Sequence, residues 1–154
     1  MRAVDSVKLV ALDEEDLAVI SAHVQDAVLK ASDLVYLPKE KRFAVAMNRF
    51  AWEKAEGQRK NFERHRAALT FDRVLAVKAQ TIDRDSDTVL DLLAVEFVPT
   101  DAPAGALDLI FAGGATLRLE VECIEARLSD LGPAWATGAK PAHDDTPGST
   151  PAVR

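Results

Sequence analysis

The chain has 154 residues, 48% of them apolar, which is enough for one well-buried core and too few for two, so a single domain is expected. Its one cysteine excludes an intrachain disulfide framework, and no apolar run reaches signal-peptide or membrane-span length, so a soluble cytosolic protein is expected. The net charge is −6, yet residues 39–73 hold ten basic side chains against five acidic ones, so this segment carries +5 and the remainder −11.

Residues 8–12 read as a short strand leading to Asp13, whose carboxylate is placed to cap a helix opening on Glu14, Glu15 and Asp16. Leu17, Ile20, Val24 and Val28 recur at helical spacing, which predicts an amphipathic helix over about 14–27. The period then changes to two. Leu34 and Tyr36 alternate, Pro38-Lys39-Glu40-Lys41 is turn chemistry, and Phe43, Val45 and Met47 alternate again. A four-residue loop sets Tyr36 opposite Phe43 and Leu34 opposite Val45. Residues 53–65 offer only Ala55 and Phe62 for burial and contain Gly57, so they read as a mobile connection.

Strand character returns over 67–71 and 74–82, with Asp72-Arg73 marking a kink or bulge. Residues 83–87 form a hydrophilic turn, and 89–98 a strand with Leu93, Val95 and Phe97 on one face. After a loop at 99–105 comes LDLIFAGGATLRLEVECI, two strands turned back on each other. A two-residue Gly113-Gly114 turn would split the apolar set between core and water. An odd loop of Gly113, Gly114 and Ala115, with one glycine left-handed and a local bulge, pairs Phe111 with Leu117 and Leu109 with Leu119. Cys123 then falls on the dry face. Residues 125–131 read as two helical turns stopped by Gly132 and Pro133, and Trp135 as folding back onto the domain. The domain is placed at 1–135 and a disordered tail at 136–154, where Pro, Gly, Thr and Asp dominate.

These elements make an α+β domain: a largely antiparallel curved sheet or partial barrel of about seven or eight strands, one long N-terminal helix and a short C-terminal helix. A pleckstrin-homology-like barrel and a split barrel are the candidate topologies. The strings LVALDEEDLAVISAHVQDAVLK, YLPKEKRFAVAMNRFAWE, FDRVLAVKAQ and LRLEVECIEARLSDLGPAW resemble an alphaproteobacterial family of domains of unknown function (domain of unknown function 2948), across about residues 8–135. The resemblance implies a bacterial cytosolic protein and supplies no activity, ligand or catalytic residue.

His23, His65, His143 and Cys123 never fall at ligand spacing, so no metal site is expected. Asp83, Asp85 and Asp87 imitate the opening of a calcium loop, but Thr88 stands where glycine is required and Ala94 where the bidentate glutamate belongs. GPAWATGAK has the wrong spacing for a phosphate loop. Glu120 and Glu122 share a strand face with Arg118 and could share a proton, although outward positions of any amphipathic strand look the same. No nucleophile elbow or cysteine–histidine pairing is present, so no catalytic residue and no cofactor is assigned.

The basic segment carries the functional reading. Arg59, Lys60, Arg64 and Arg66 lie in or beside the mobile connection, with Trp52, Phe62 and His65 to supply stacking surfaces. A pI near 5.1 argues against an electrostatic grip on nucleic acid dominating the protein. The expected function is a non-enzymatic binding module that recognises a protein partner through the basic loop or an exposed sheet edge, without membrane contact. A small-molecule-binding protein or enzyme with its pocket at the barrel mouth is one alternative. Nucleic-acid or other polyanion binding through residues 39–73 is another.

Overall fold

The computed structural model describes residues 7–50, 62–82, 87–132 and 135–137. After strand β1 (Lys8–Ala11), Asp13 takes extended backbone and accepts a hydrogen bond from the Asp16 N–H at 2.8 Å, capping helix α1 (Glu14–His23) as its sequence predicts. Leu17, Ile20 and Val24 are buried. At about 2 kcal/mol each, their burial outweighs the cap's contribution of about 1 kcal/mol. The helix stops one turn before the expected end at 27. The Val24 N–H donates to the Ile20 and Ser21 carbonyls, and Asp26, left-handed at φ 65°, turns the chain into β2 (Ala27–Lys30). Val28 therefore lies on a strand, where Ala27 and Leu29 take the inward positions.

The remaining strands are β3 (Leu34–Leu37), β4 (Arg42–Phe50), β5 (Phe62–Asp72), β6 (Val74–Gln80), β7 (Val89–Pro99), β8 (Gly105–Phe111), β9 (Thr116–Val121), β10 (Ala126–Asp130) and β11 (Trp135–Thr137). They form one open, antiparallel, eleven-stranded sheet ordered β1-β10-β5-β4-β2-β7-β8-β9-β6, with β3 added to β4 and β11 to β5. Arg73, left-handed at φ 65°, lies between β5 and β6, as its expected kink requires. The curled sheet brings β6 back near the β3–β4 turn, where the Val74 N–H donates to the Lys41 carbonyl at 2.9 Å. No ladder among the described residues joins β6 to β1, so the barrel is not closed. Helix α1 packs against β7 and β1, and the Ser21 hydroxyl accepts from the Val95 N–H at 2.9 Å. Phe43, Met47, Leu69, Phe71, Leu107 and Leu117 are among the side chains buried at the centre.

Several expectations need correction. Residues 125–131 are not helical. Ala126, Leu128 and Asp130 are buried while Arg127 is exposed, a period of two imposed by pairing with β1 on one side and β5 on the other. The short C-terminal helix expected over residues 125–131 is thus a strand. The strand count exceeds seven or eight because β2 follows directly on the expected helix, β10 replaces the expected C-terminal helix, and β11 lies at the boundary with the expected tail. In β7 a register shift between Leu92 and Ala94 changes which parity faces the core. Leu90, Leu92 and Val95 point inward, and Leu93, expected beside Val95, is exposed.

The β3–β4 register is the expected one, Tyr36 opposite Phe43 and Leu34 opposite Val45. In the β8–β9 hairpin the odd loop is right but one residue earlier. Ala112, Gly113 and Gly114 form it, closed by the Phe111 N–H donating to the Ala115 carbonyl at 3.0 Å. Leu109 therefore faces Leu117 and Leu107 faces Leu119, a shift of two that leaves every side chain on its expected face. Both glycines, at φ 86° and 90°, are left-handed. Strand β9 ends at Val121, so Cys123 lies in the following bend and is half-buried, off the dry face. Trp135 does fold back, its backbone opposite Arg64. Strand β11 runs past the domain boundary placed at 135, and residues 138–154 of the expected tail lie outside the described residues.

Candidate functional site

Strands β4 and β5 pair without interruption from Arg42 opposite Asp72 to Phe50 opposite Arg64. With alternation of faces, Phe43, Val45, Met47 and Arg49 point to the core, as do Phe71, Leu69, Ala67 and His65 across from them. The other face carries Arg42, Ala44, Ala46 and Asn48 on β4, and Asp72, Thr70, Ala68, Arg66 and Arg64 on β5. Pairing extends its rows sideways: Val35 beside Ala44, Arg127 beside Thr70, Ser129 beside Ala68, and Val28 beside Asn48 with Asp91 beyond it. Its centre is a floor of small, partly exposed side chains.

Charged groups stand at both ends of that floor. At one, the Asp72 carboxylate accepts from Arg42 Nε at 2.8 Å and from Arg127 Nη2 at 3.4 Å, and this bond and charge hold the Arg42 guanidinium above its ordinary pKa. At the other, Asn48 fixes two arginines. Its carbonyl accepts from Arg64 Nη1 at 3.2 Å and its Oδ1 from Arg66 Nη1 at 3.1 Å. The Arg64 guanidinium also lies 5.9 Å from the ring centroid of buried Phe50. Among the described residues no carboxylate comes within 4.0 Å of either guanidinium. Burial pushes the Arg64 pKa down, opposed by the charges of Asp91 and Asp26. Burial pushes the Asp91 carboxyl up, and so do the charge of Asp26 and a hydrogen bond with it, against the pull of Arg64.

On the core side of the same strands is a second charged group. Arg49 is fully buried, and its Nε and Nη2 donate to the two Asp130 oxygens at 2.8 and 2.9 Å. Asp130 also accepts from the Val7 N–H at 2.8 Å and lies 3.2 Å from His65 Nδ1. This cluster ties β4, β5 and β10 to the start of the described chain. Its signal was present in the sequence: Arg49 has the parity of Phe43, Val45 and Met47, and His65 that of Ala67, Leu69 and Phe71. A charge in an inward register needs a partner.

Of the candidate residues, the structure brings Arg64 and Arg66 together, on strand β5 and not in a loop. Trp52, Arg59 and Lys60 lie outside the described residues, as do Asp83 and Asp85 of the calcium-loop imitation. His65 is a core residue and offers no stacking surface. Glu120 and Glu122 do not act together: Glu120 pairs with Lys78 at 2.7 Å, Glu122 with Lys41 at 3.0 Å, and Arg118 with Asp108 at 2.7 Å. Among the described residues no three acidic, histidine or cysteine side chains converge as a metal site, and no helix is long and apolar enough to cross a membrane.

Fold and surface together define an α+β domain, mostly antiparallel sheet with one helix, that presents an arginine-bearing outer sheet face. The chain belongs to the family described as "Protein of unknown function (DUF2948)", whose model matches residues 7–143. No curated protein and no solved structure matches it.

Proposed function

We propose that this chain is a binding module that docks an acidic segment of a partner protein on the outer face of β4 and β5, at Arg64 and Arg66. The observation that carries the reading is this pair of guanidinium groups, partly buried, fixed on Asn48, and without a described carboxylate in ion-pair range. Arginine suits the task because its planar fork meets a carboxylate bidentately and it is more weakly hydrated than lysine. The small side chains of Ala44, Ala46, Ala68, Thr70 and Ser129 let a polypeptide backbone come close. Exposed Val35 and Leu37 at the border offer apolar contact. Asp91 and Asp26 near Arg64 break the patch of positive potential, which favours a polypeptide over a phosphate backbone.

The test is fluorescence anisotropy at low salt with a labelled peptide of about eight glutamates and, in parallel, a labelled single-stranded oligonucleotide of equal charge. Peptide binding that weakens with salt and falls at least about tenfold in the Arg64→Ala, Arg66→Ala double variant is expected. Absence of peptide binding overturns the reading. Preference for the oligonucleotide replaces it with polyanion binding.

A further inference from the structure

Strand β6 is the last of the sheet and is laddered to β9 on one side only. Its free side is closed at the start, where Val74 donates to the Lys41 carbonyl and accepts from the Tyr36 hydroxyl at 3.4 Å. At the far end Thr81 leaves strand geometry at φ 64°. Between them, over residues 75–80, no described strand pairs with this edge. Natural sheets blunt such an edge with charge, proline or a covering segment, because its unpaired N–H and C=O groups are a template for another strand. Here Lys78 is the one charged residue of Val74–Gln80, proline is absent, and a register shift against β9 between Val74 and Ala76 is confined to the start of the strand. Leu75 is 50% exposed, Ala79 is exposed, and Val77 is only partly buried against the core.

We infer that this edge pairs antiparallel with the β6 edge of a second copy of the chain, about a two-fold axis at Val77. In such a ladder one residue faces its own counterpart, and the free run limits the choice to its middle, Val77 or Lys78. An axis at Lys78 sets two ammonium groups directly opposite each other, which is destabilising. An axis at Val77 sets valine on valine, Leu75 on Ala79 and Ala76 on Lys78. Each Lys78 then faces Ala76 of the other copy and keeps its own Glu120 at 2.7 Å. The pairing completes the backbone hydrogen bonds of both edges and covers Val77 and Leu75. Because only one short strand from each copy takes part, the contact falls at the small end of interfaces, and the dimer is reversible and concentration-dependent.

Analytical ultracentrifugation of the full chain over a concentration series tests this, with Val77→Lys as the variant and circular dichroism as the control for folding. The wild type is expected to dimerise, and Val77→Lys, which sets lysine against lysine at the axis, to raise the dissociation constant at least about tenfold. Amide hydrogen exchange of wild-type residues 75–80 is expected to slow as concentration rises, a measurement that needs no variant. A wild type that stays monomeric, a dimer that a folded Val77→Lys leaves unchanged, or exchange in 75–80 independent of concentration each overturns the inference.

Discussion

Replacing Asp130 with asparagine keeps the shape of the buried cluster and removes its negative charge. Asp130 accepts two hydrogen bonds from Arg49, at 2.8 and 2.9 Å, and a third from the Val7 N–H at 2.8 Å. Arg49 has 0% exposure, so its guanidinium cannot turn to water once the carboxylate is gone. A hydrogen bond to a charged group contributes about 1.5–3 kcal/mol net, and removing one partner of a buried ion pair costs about 3–5 kcal/mol. Against a total stability of about 5–15 kcal/mol, that is a large fraction. Urea unfolding at neutral pH is expected to show a loss of about 3–5 kcal/mol for Asp130→Asn. The double variant Arg49→Met, Asp130→Leu is expected to recover most of it, because no uncompensated charge remains. A loss below about 1 kcal/mol in the single variant, or a double variant no better than the single one, refutes the reasoning. The pH dependence follows from the same contacts. Burial alone raises the Asp130 carboxyl, but the hydrogen bonds from Arg49 and Val7 and the charges of Arg49 and His65 outweigh it, so the folded pKa lies below the unfolded one. That contribution is complete above the unfolded value of about 3.9 and is lost as pH falls through the folded value. Acid unfolding should therefore be steeper in the wild type than in Asp130→Asn.

For Asp91 the sign is opposite. Burial and Asp26 raise its carboxyl pKa, so ionising it disfavours the fold, and the penalty grows as pH rises from the unfolded value through the folded one. Asp91→Asn is expected to raise the thermal midpoint at about pH 7 and leave it unchanged near pH 3.5; an equal or lower midpoint at pH 7 contradicts this. Gly105 has no room for a side chain, since a Cβ there lies 2.5 Å from the Phe97 ring and 2.6 Å from the Val98 carbonyl oxygen. Gly105→Ala forces the β7–β8 ladder to shift and is expected to cost about 1–3 kcal/mol in urea unfolding, and a change within about 0.5 kcal/mol of zero shows that the strands yield freely.

Where one face of an element is buried and the other wet, the alternation of residues was enough to place it. Asp13 and the Leu17, Ile20, Val24 spacing located α1, and the parity of Tyr36 with Phe43 gave the β3–β4 register. Parity also required an odd loop between β8 and β9, although not which three residues form it, because a shift of two moves no side chain to another face. Local pattern misled where pairing partners lay far away in sequence. Residues 126–130 precede a helix-stopping Gly132, yet they sit between β1 and β5 and must alternate. Leu93 lost its inward place to a bulge that no residue type announced. Of the site, only its basic character was legible. That Arg64 and Arg66 stand on a strand, held by Asn48 from the neighbouring one, depends on a pairing across sixteen residues or more.

The sequence by itself determined an α+β domain with a capped helix near its start, a largely antiparallel curved sheet, and a basic segment in an acidic chain. These follow from local periodicity and composition, to which each residue contributes independently of distant ones. Only the tertiary structure decided the order of the strands, the fate of residues 126–130, the burial of Arg49 with Asp130, and which strands stand at the ends of the sheet. Those are relations between residues up to 123 positions apart, as Val7 and Asp130 are, and they are selected by the joint burial of surfaces that no short window of sequence contains.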